Sequence, residues 1–125
     1  MKQRFIRPDG ELTDDTVLVV RGGDLDRALL EDDAHRAHAV YGTYSVSVFA
    51  ADGVTVDELV QEPPLVRFES FTLISVGTVK AAGLALRPTG RNRLHHSIEF
   101  ADLDDGVNRL LRCDHRTMDN PYHES

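Results

Sequence analysis

The chain has 125 residues, of which 41% are hydrophobic and 28% charged, and its net charge is −7. These values are typical of one globular domain, and the acidic balance disfavours non-specific DNA binding, which depends on neutralising phosphates. A single cysteine, Cys113, excludes an internal disulfide, and no apolar run approaches the roughly 20 residues of a membrane span. We expect one domain over residues 1–125, located in the cytoplasm and not bound to membranes.

Two strands are predicted in the first half of the chain. A continuous apolar run predicts a buried strand over 17–21. Over 43–50, Tyr44, Val46 and Val48 fall on one face and Ser45, Ser47 and Phe49 on the other, so we expect a strand.

Capping residues mark two helices in the same half. Asp24 is expected to begin a helix over about 25–39, and Gly42 is expected to end it. The segment 55–58 begins with Thr and ends with Glu, which is the capping-box pattern. It predicts a short helix over 55–61.

The second half also alternates between strands and helices. The expected elements are a strand over 71–76, a helical turn over 78–82, an extended segment at 84–88, a strand over 96–100 and a helix over 103–112 capped by Asp102. Residues 1–16, with a turn at Pro8-Asp9-Gly10, and the tail 114–125 are polar. We therefore predict an α+β domain with a mixed sheet and short flanking helices.

The tail contains Asn120-Pro121-Tyr122, in which the proline ring restricts both its own backbone and that of the preceding residue. We expect the tail to be ordered to Tyr122. The tyrosine should be largely buried beside the strand that holds Glu99, with its hydroxyl hydrogen-bonded.

Candidate binding residues lie at the ends of the first two strands. Arg21 precedes Gly22-Gly23, and glycines permit close approach of a ligand to the backbone. Ser45 and Ser47 share a strand face, close to Tyr41 and Tyr44. A surface arginine before a turn and a half-exposed strand face would explain the same residues without a ligand.

The segment Arg-Gly-Gly followed by Tyr-Gly-x-Tyr-x-x-x-Val-Phe-Ala resembles the opening of ADP-ribosyltransferase-like domains, over residues 17–50. The resemblance implies an NAD-using enzyme, plausible as the toxin of a toxin–antitoxin pair. Arg21 and Gly22 would hold the pyrophosphate of NAD, and Tyr44, with Tyr41 nearby, would stack on the nicotinamide ring.

The same resemblance assigns roles to the polar strand residues. Ser45 or Ser47 would support the nicotinamide ribose. Glu99, on a late strand, would be the acid that stabilises the ribosyl cation. A solvated strand face is the alternative reading of Ser97 and Glu99.

A second hypothesis rests on the basic segment 87–96, which has three arginines, two histidines and no acid. Histidines beside arginines can cleave RNA without a metal, by moving protons and stabilising the phosphorane. Arg91, His95, His96 and His115 are the candidate residues. RNA is a partner only under this hypothesis, and a solvated basic loop is the alternative.

Metal binding has little support in the sequence. His35 and His38 have helical ligand spacing, but no complete ligand set is spaced convincingly, so no metal is expected. A third hypothesis is a non-catalytic acidic binding protein, such as an antitoxin or immunity-like protein, since residues 1–60 hold twelve acidic and six basic side chains. A toxin would instead have a cognate protein inhibitor as its partner.

Overall fold

The computed structural model describes residues 12–21 and 25–123, and the Arg21 side chain lies outside this description. Within the described residues the elements are β1 (Val17–Arg21), α1 (Arg27–Tyr41), β2 (Tyr44–Ala50), α2 (Val56–Val60), a 3₁₀ turn (Leu65–Arg67), β3 (Ser70–Ser75), α3 (Val76–Ala81), β4 (Ala85–Pro88), β5 (His95–Phe100), α4 (Leu103–Leu111) and β6 (Arg116–Asp119). They confirm the predicted α+β class. The turn expected at residues 8–10 lies outside the described part.

The six strands form one sheet in the order β4-β5-β2-β1-β3-β6. All the neighbouring pairs are antiparallel, so the expectation of a mixed sheet is wrong. A connection through a helix creates a parallel pair only when the returning strand lies beside the strand it left. Here β2 and β3 run in the same direction, but β1 lies between them and runs opposite to both. The neighbours β1 and β2 are also connected through a helix, α1, but they are antiparallel.

One sheet face packs against α1, α3 and α4. Alternation along the strands directs the apolar side chains of this face towards the helices. The main core contains the buried residues Leu18, Val20, Leu30, Ala34, Val46, Val48, Ile74, Val79, Ile98, Phe100, Val107 and Leu110. Helix α4 begins as predicted, since the Asp102 carboxylate accepts a hydrogen bond of 2.9 Å from the backbone N–H of Asp105.

The opposite face is covered over only part of its area, by α2 and the 3₁₀ turn. A second core joins strand residues Val19, Phe49 and Phe71 to Leu59 of α2 and Leu65 of the turn. The capping box at the start of α2 is confirmed, with both of its hydrogen bonds formed. Because α2 has five residues, it leaves the polar half of this face, on β2, β5 and β4, to form the site described below.

Element boundaries differ from the predictions where side chains cap helices. Asp26 caps α1, two residues later than predicted, and Asp24 lies outside the described residues. Gly42 ends α1 as predicted, with a left-handed φ of 80°. Strand β3 stops at Ser75 because its hydroxyl accepts a hydrogen bond of 3.1 Å from the N–H of Thr78 and starts α3.

The tail is only partly as predicted. Arg116–Asp119 forms the edge strand β6, which the sequence did not indicate because a four-residue edge strand shows too little apolar alternation. The Tyr122 hydroxyl donates a hydrogen bond of 2.8 Å to Asp57, which confirms that it is bonded. The expected burial is wrong, since Tyr122 is 38% exposed and lies against α2 instead of the strand that holds Glu99.

A glycine in α4 permits close packing of this helix on β5. Gly106 is buried, and a Cβ added there would overlap the ring of the buried Phe100. We expect Gly106→Ala to destabilise the protein by about 1–3 kcal/mol, because overpacking outweighs the gain of up to about 1 kcal/mol in helix propensity. Urea unfolding measures the change. Gly106→Ala in a Phe100→Leu background should be less destabilising than in the wild type, and equal costs in the two backgrounds would contradict the packing explanation.

Candidate functional site

Strands β4, β5 and β2 and the end of α1 enclose a cleft of about 570 Å³. Hydroxyl groups dominate its lining, together with one arginine, one glutamate and one histidine. The lining residues are Ala37, Tyr41, Thr43, Ser45, Ser47, Arg87, Thr89, Gly90, His95, Ser97 and Glu99. A cleft of this size lies within the range of small-ligand sites.

Strand register places the first pair of predicted site residues side by side. Ser45 of β2 lies directly opposite Glu99 of β5, so both side chains stand on the same face. Tyr41, the last residue of α1, lines the same end of the cleft and is 80% exposed. With Ser47, which also lines the cleft, the structure brings together four of the residues predicted for the NAD site.

The middle of the cleft holds a second row of polar residues. Ser97 lies opposite Ser47 on one side and opposite Arg87 on the other. The Arg87 Nε lies 3.1 Å from the Glu99 carboxylate. This diagonal ion pair across β4 and β5 links the middle row to the Glu99 end.

A chain of short hydrogen bonds occupies the far end of the cleft. The Ser97 and Thr89 hydroxyl oxygens are 2.8 Å apart, and the Thr89 hydroxyl is 3.0 Å from His95 Nδ1. His95 Nδ1 is also 2.9 Å from the carbonyl oxygen of Thr89. A carbonyl oxygen only accepts, so Nδ1 carries a proton and donates it.

The His95 ring is also fixed by packing. Phe49 meets it edge to face with ring centroids 5.2 Å apart, and Gly90 lies close to its Nδ1, which would be 3.1 Å from a Cβ added at Gly90. Gly90 has a φ of 76°, which favours glycine at this turn. The imidazole is therefore held in one orientation at the end of the cleft.

Tyr44 lies on the other sheet face, away from the cleft. Its ring stacks on His38, with centroids 4.2 Å apart, and contacts the edge of His35 at 5.9 Å. Tyr44, which was predicted to stack on nicotinamide, is thus already stacked on an aromatic ring of α1. Tyr41 is the tyrosine that lines the cleft.

Arg21 ends β1, opposite Phe71 of β3. Its side chain, and all of Gly22, lie outside the described residues. The predicted role of this pair in holding a pyrophosphate therefore stays a prediction.

The residues of the ribonuclease hypothesis are not gathered in one place. His95 lines the cleft, whereas the neighbouring His96 is buried on the opposite face of β5. Arg91 is exposed in the turn between β4 and β5. His115 precedes β6, at the other edge of the sheet from β4 and β5.

Arg87, Thr89 and Ser97 are cleft residues that the sequence analysis did not select as site residues. The signal that could have found them is the hairpin of β4 and β5. Residues 84–88 and 96–100 were both predicted to be extended, with a glycine between them. Antiparallel pairing of two such segments puts alternate residues of both on one face.

In the part of the chain that the structure describes, no group of three or more histidine, cysteine, aspartate or glutamate side chains is arranged to hold a metal. The described helices also include none long and apolar enough to cross a membrane.

Cys113 lies outside the cleft, buried behind α4. Burial, and to a lesser extent the nearby Asp114 carboxylate, raises the pKa of its thiol above the ordinary value.

Since the thiolate is the reactive form, we expect iodoacetamide to modify native Cys113 more slowly at pH 8 than it modifies the urea-unfolded chain. Equal rates, followed by mass spectrometry, would contradict this. The raised pKa also means that this group favours the folded state at neutral pH and that its contribution is lost as the pH rises above about 9.

No protein-family model, curated protein or solved structure matches this chain.

Proposed function

We propose that this protein is an NAD-using enzyme of the ADP-ribosyltransferase or NAD glycohydrolase type, with its active site in the cleft. The observation that supports it is the register of β2 and β5, which sets Ser45 beside Glu99 at the end of the cleft lined by Tyr41. A carboxylate, a hydroxyl and an exposed aromatic ring are the groups that a ribosyl cation, a ribose and a flat ring would contact.

Glu99 has the chemistry for the central step. When the C1′–N bond of NAD breaks, its electron pair stays with the nicotinamide nitrogen, which leaves as a neutral ring, so no acid is required. The ribosyl group gains positive charge, and a carboxylate fixed beside C1′ stabilises it. Water or an acceptor hydroxyl then forms the new bond at C1′ and loses its proton to Glu99 or to solvent.

The direct test is nicotinamide release. Purified protein is incubated with NAD, and free nicotinamide and ADP-ribose are separated by chromatography, with and without a protein extract as acceptor. Release of nicotinamide supports the proposal. Neither release nor binding at millimolar NAD would contradict it.

In a cell, we place this activity in the cytoplasm and propose a cognate protein inhibitor as partner. Induced expression of the chain alone should then arrest growth. The same expression of a variant lacking Glu99 should not. Harmless expression of the wild type would favour the non-catalytic binding protein.

RNA cleavage without a metal is the second candidate, and one observation favours it. His95 shares the cleft with Arg87 and Glu99, which together supply an acid, a cation and a base. However, His95 and Glu99 are four residues apart on one strand, about 13 Å, and one phosphate has to lie within reach of both. Purified protein that leaves RNA intact at pH 5–8 would remove this candidate.

A further inference from the structure

The middle row of the cleft contains two hydrogen-bond donor groups that have no role in the proposed reaction. Arg87 and Ser97 lie opposite each other on β4 and β5, about 7 Å along the strand from Glu99. Ser97 is 8% exposed, and Arg87 is an exposed side chain anchored at one nitrogen.

The hydrogen-bond chain favours one direction for the Ser97 hydroxyl. His95 Nδ1 donates to the Thr89 carbonyl, so the Thr89 hydroxyl oxygen, 3.0 Å from the same nitrogen, acts as an acceptor towards it. The single Thr89 proton is then available for Ser97, whose oxygen is 2.8 Å away. In the arrangement where Thr89 donates this proton, Ser97 accepts it and its own proton is available to a ligand in the cleft.

Arg87 contributes the charge. Its Nε is engaged by Glu99, and the two terminal nitrogens carry the four other donors of the guanidinium group. A guanidinium fork and a hydroxyl donor facing the same space are the groups that bind phosphate oxygens.

We propose that the middle of the cleft is a phosphate-binding subsite, in which Arg87 supplies the cation and Ser97 a hydroxyl donor oriented by Thr89 and His95. The identity of the whole ligand rests on the proposed function, because the pyrophosphate of an NAD molecule whose ribose lies at Glu99 would reach this row. The subsite itself should bind inorganic pyrophosphate alone.

A substitution of Glu99 distinguishes phosphate binding at the subsite from the reaction with NAD. Its carboxylate repels a phosphate while it holds Arg87, and glutamine keeps an acceptor for Arg87 without the charge. Glu99→Gln should therefore strengthen pyrophosphate binding, although it removes the group that stabilises the ribosyl cation. One substitution is expected to change the two properties in opposite directions.

The experiment is calorimetric titration of the full chain with pyrophosphate at low salt. Arg87→Ala and Ser97→Ala should each weaken binding by about tenfold or more, the size expected for hydrogen bonds to a charged group. Thr89→Val should weaken it less, and Thr89→Ser should restore it, because serine keeps the hydroxyl that orients Ser97. Arg67→Ala, an exposed arginine of the 3₁₀ turn, is the matched control and should bind as the wild type does.

The outcomes separate the two proposals, with thermal unfolding of each variant confirming that it is folded. Wild-type protein that binds no pyrophosphate, or unchanged binding in Arg87→Ala and Ser97→Ala, overturns the subsite even if NAD is cleaved. A failure of Thr89→Ser to restore binding overturns the orienting role of Thr89. Pyrophosphate binding that depends on Arg87 and Ser97, in a protein that does not cleave NAD, supports the subsite and contradicts the proposed function.

Discussion

Glu99→Gln is expected to lower the rate of nicotinamide release from NAD by about 100-fold or more. This is the usual size of the loss when a group aimed at a developing charge is removed. Glutamine has nearly the same shape and can still accept from Arg87, so the cleft should keep its geometry. The rate is measured at saturating NAD by chromatography of the products.

Two variants control this result. Glu62→Gln changes an exposed glutamate beside α2, outside the cleft, and should keep the wild-type rate. Ser45→Ala removes the hydroxyl opposite Glu99 and should lower the rate of nicotinamide release less than Glu99→Gln does. A Glu99→Gln protein that is as active as the wild type would exclude Glu99 as the stabilising carboxylate.

Asn120→Ala is expected to cause the largest loss of stability among the tail substitutions, about 3 kcal/mol. Asn120 is 5% exposed, and its amide donates to the carbonyl oxygens of Val60 and Leu65 at 3.0 and 3.2 Å. Its own oxygen accepts from the N–H of Tyr122. Alanine removes the donor to the Val60 carbonyl and leaves the Leu65 carbonyl with its bond from the Phe68 N–H. It also creates a space where the buried amide was, and each lost buried hydrogen bond costs about 1–3 kcal/mol.

Urea unfolding measures the effect, with Asn92→Ala as the control. Asn92 is an exposed asparagine that also accepts a backbone hydrogen bond, from Leu94, so its loss should cost about 1 kcal/mol or less. Deleting residues 120–125 should destabilise the protein at least as much as Asn120→Ala. A truncated protein as stable as the wild type would show that the tail does not hold α2 and the 3₁₀ turn in place.

The hydroxyl-rich cleft and the tail are held by different hydrogen bonds. Asn120 and Tyr122 tie β6 to α2 and the 3₁₀ turn, near β1 and β3, whereas the cleft lies on β2, β5 and β4. Tail variants should therefore lower stability with little change in pyrophosphate affinity. Substitution of Arg87 in the cleft should lower the pyrophosphate affinity with little change in stability.

Local signals in the sequence by themselves determined several elements of this protein. The Thr55 and Glu58 pair started α2, Asp102 started α4, Gly42 ended α1, and alternation along β2 separated Val46 and Val48 from Ser45 and Ser47. These features depend on residues within a few positions of one another, so the residue types are sufficient to predict them.

Only the tertiary structure decided which segments meet. The pairing of β5 with β2 brings Glu99 to Ser45, which is more than 50 residues away, and the β4–β5 hairpin adds Arg87 and Thr89 to the same cleft. The packing of α1 stacks His38 on the Tyr44 ring and places Tyr41 at the cleft. Strand neighbours are selected by burial and hydrogen bonding over the whole sheet, and a strand's own sequence specifies its face but not its partner.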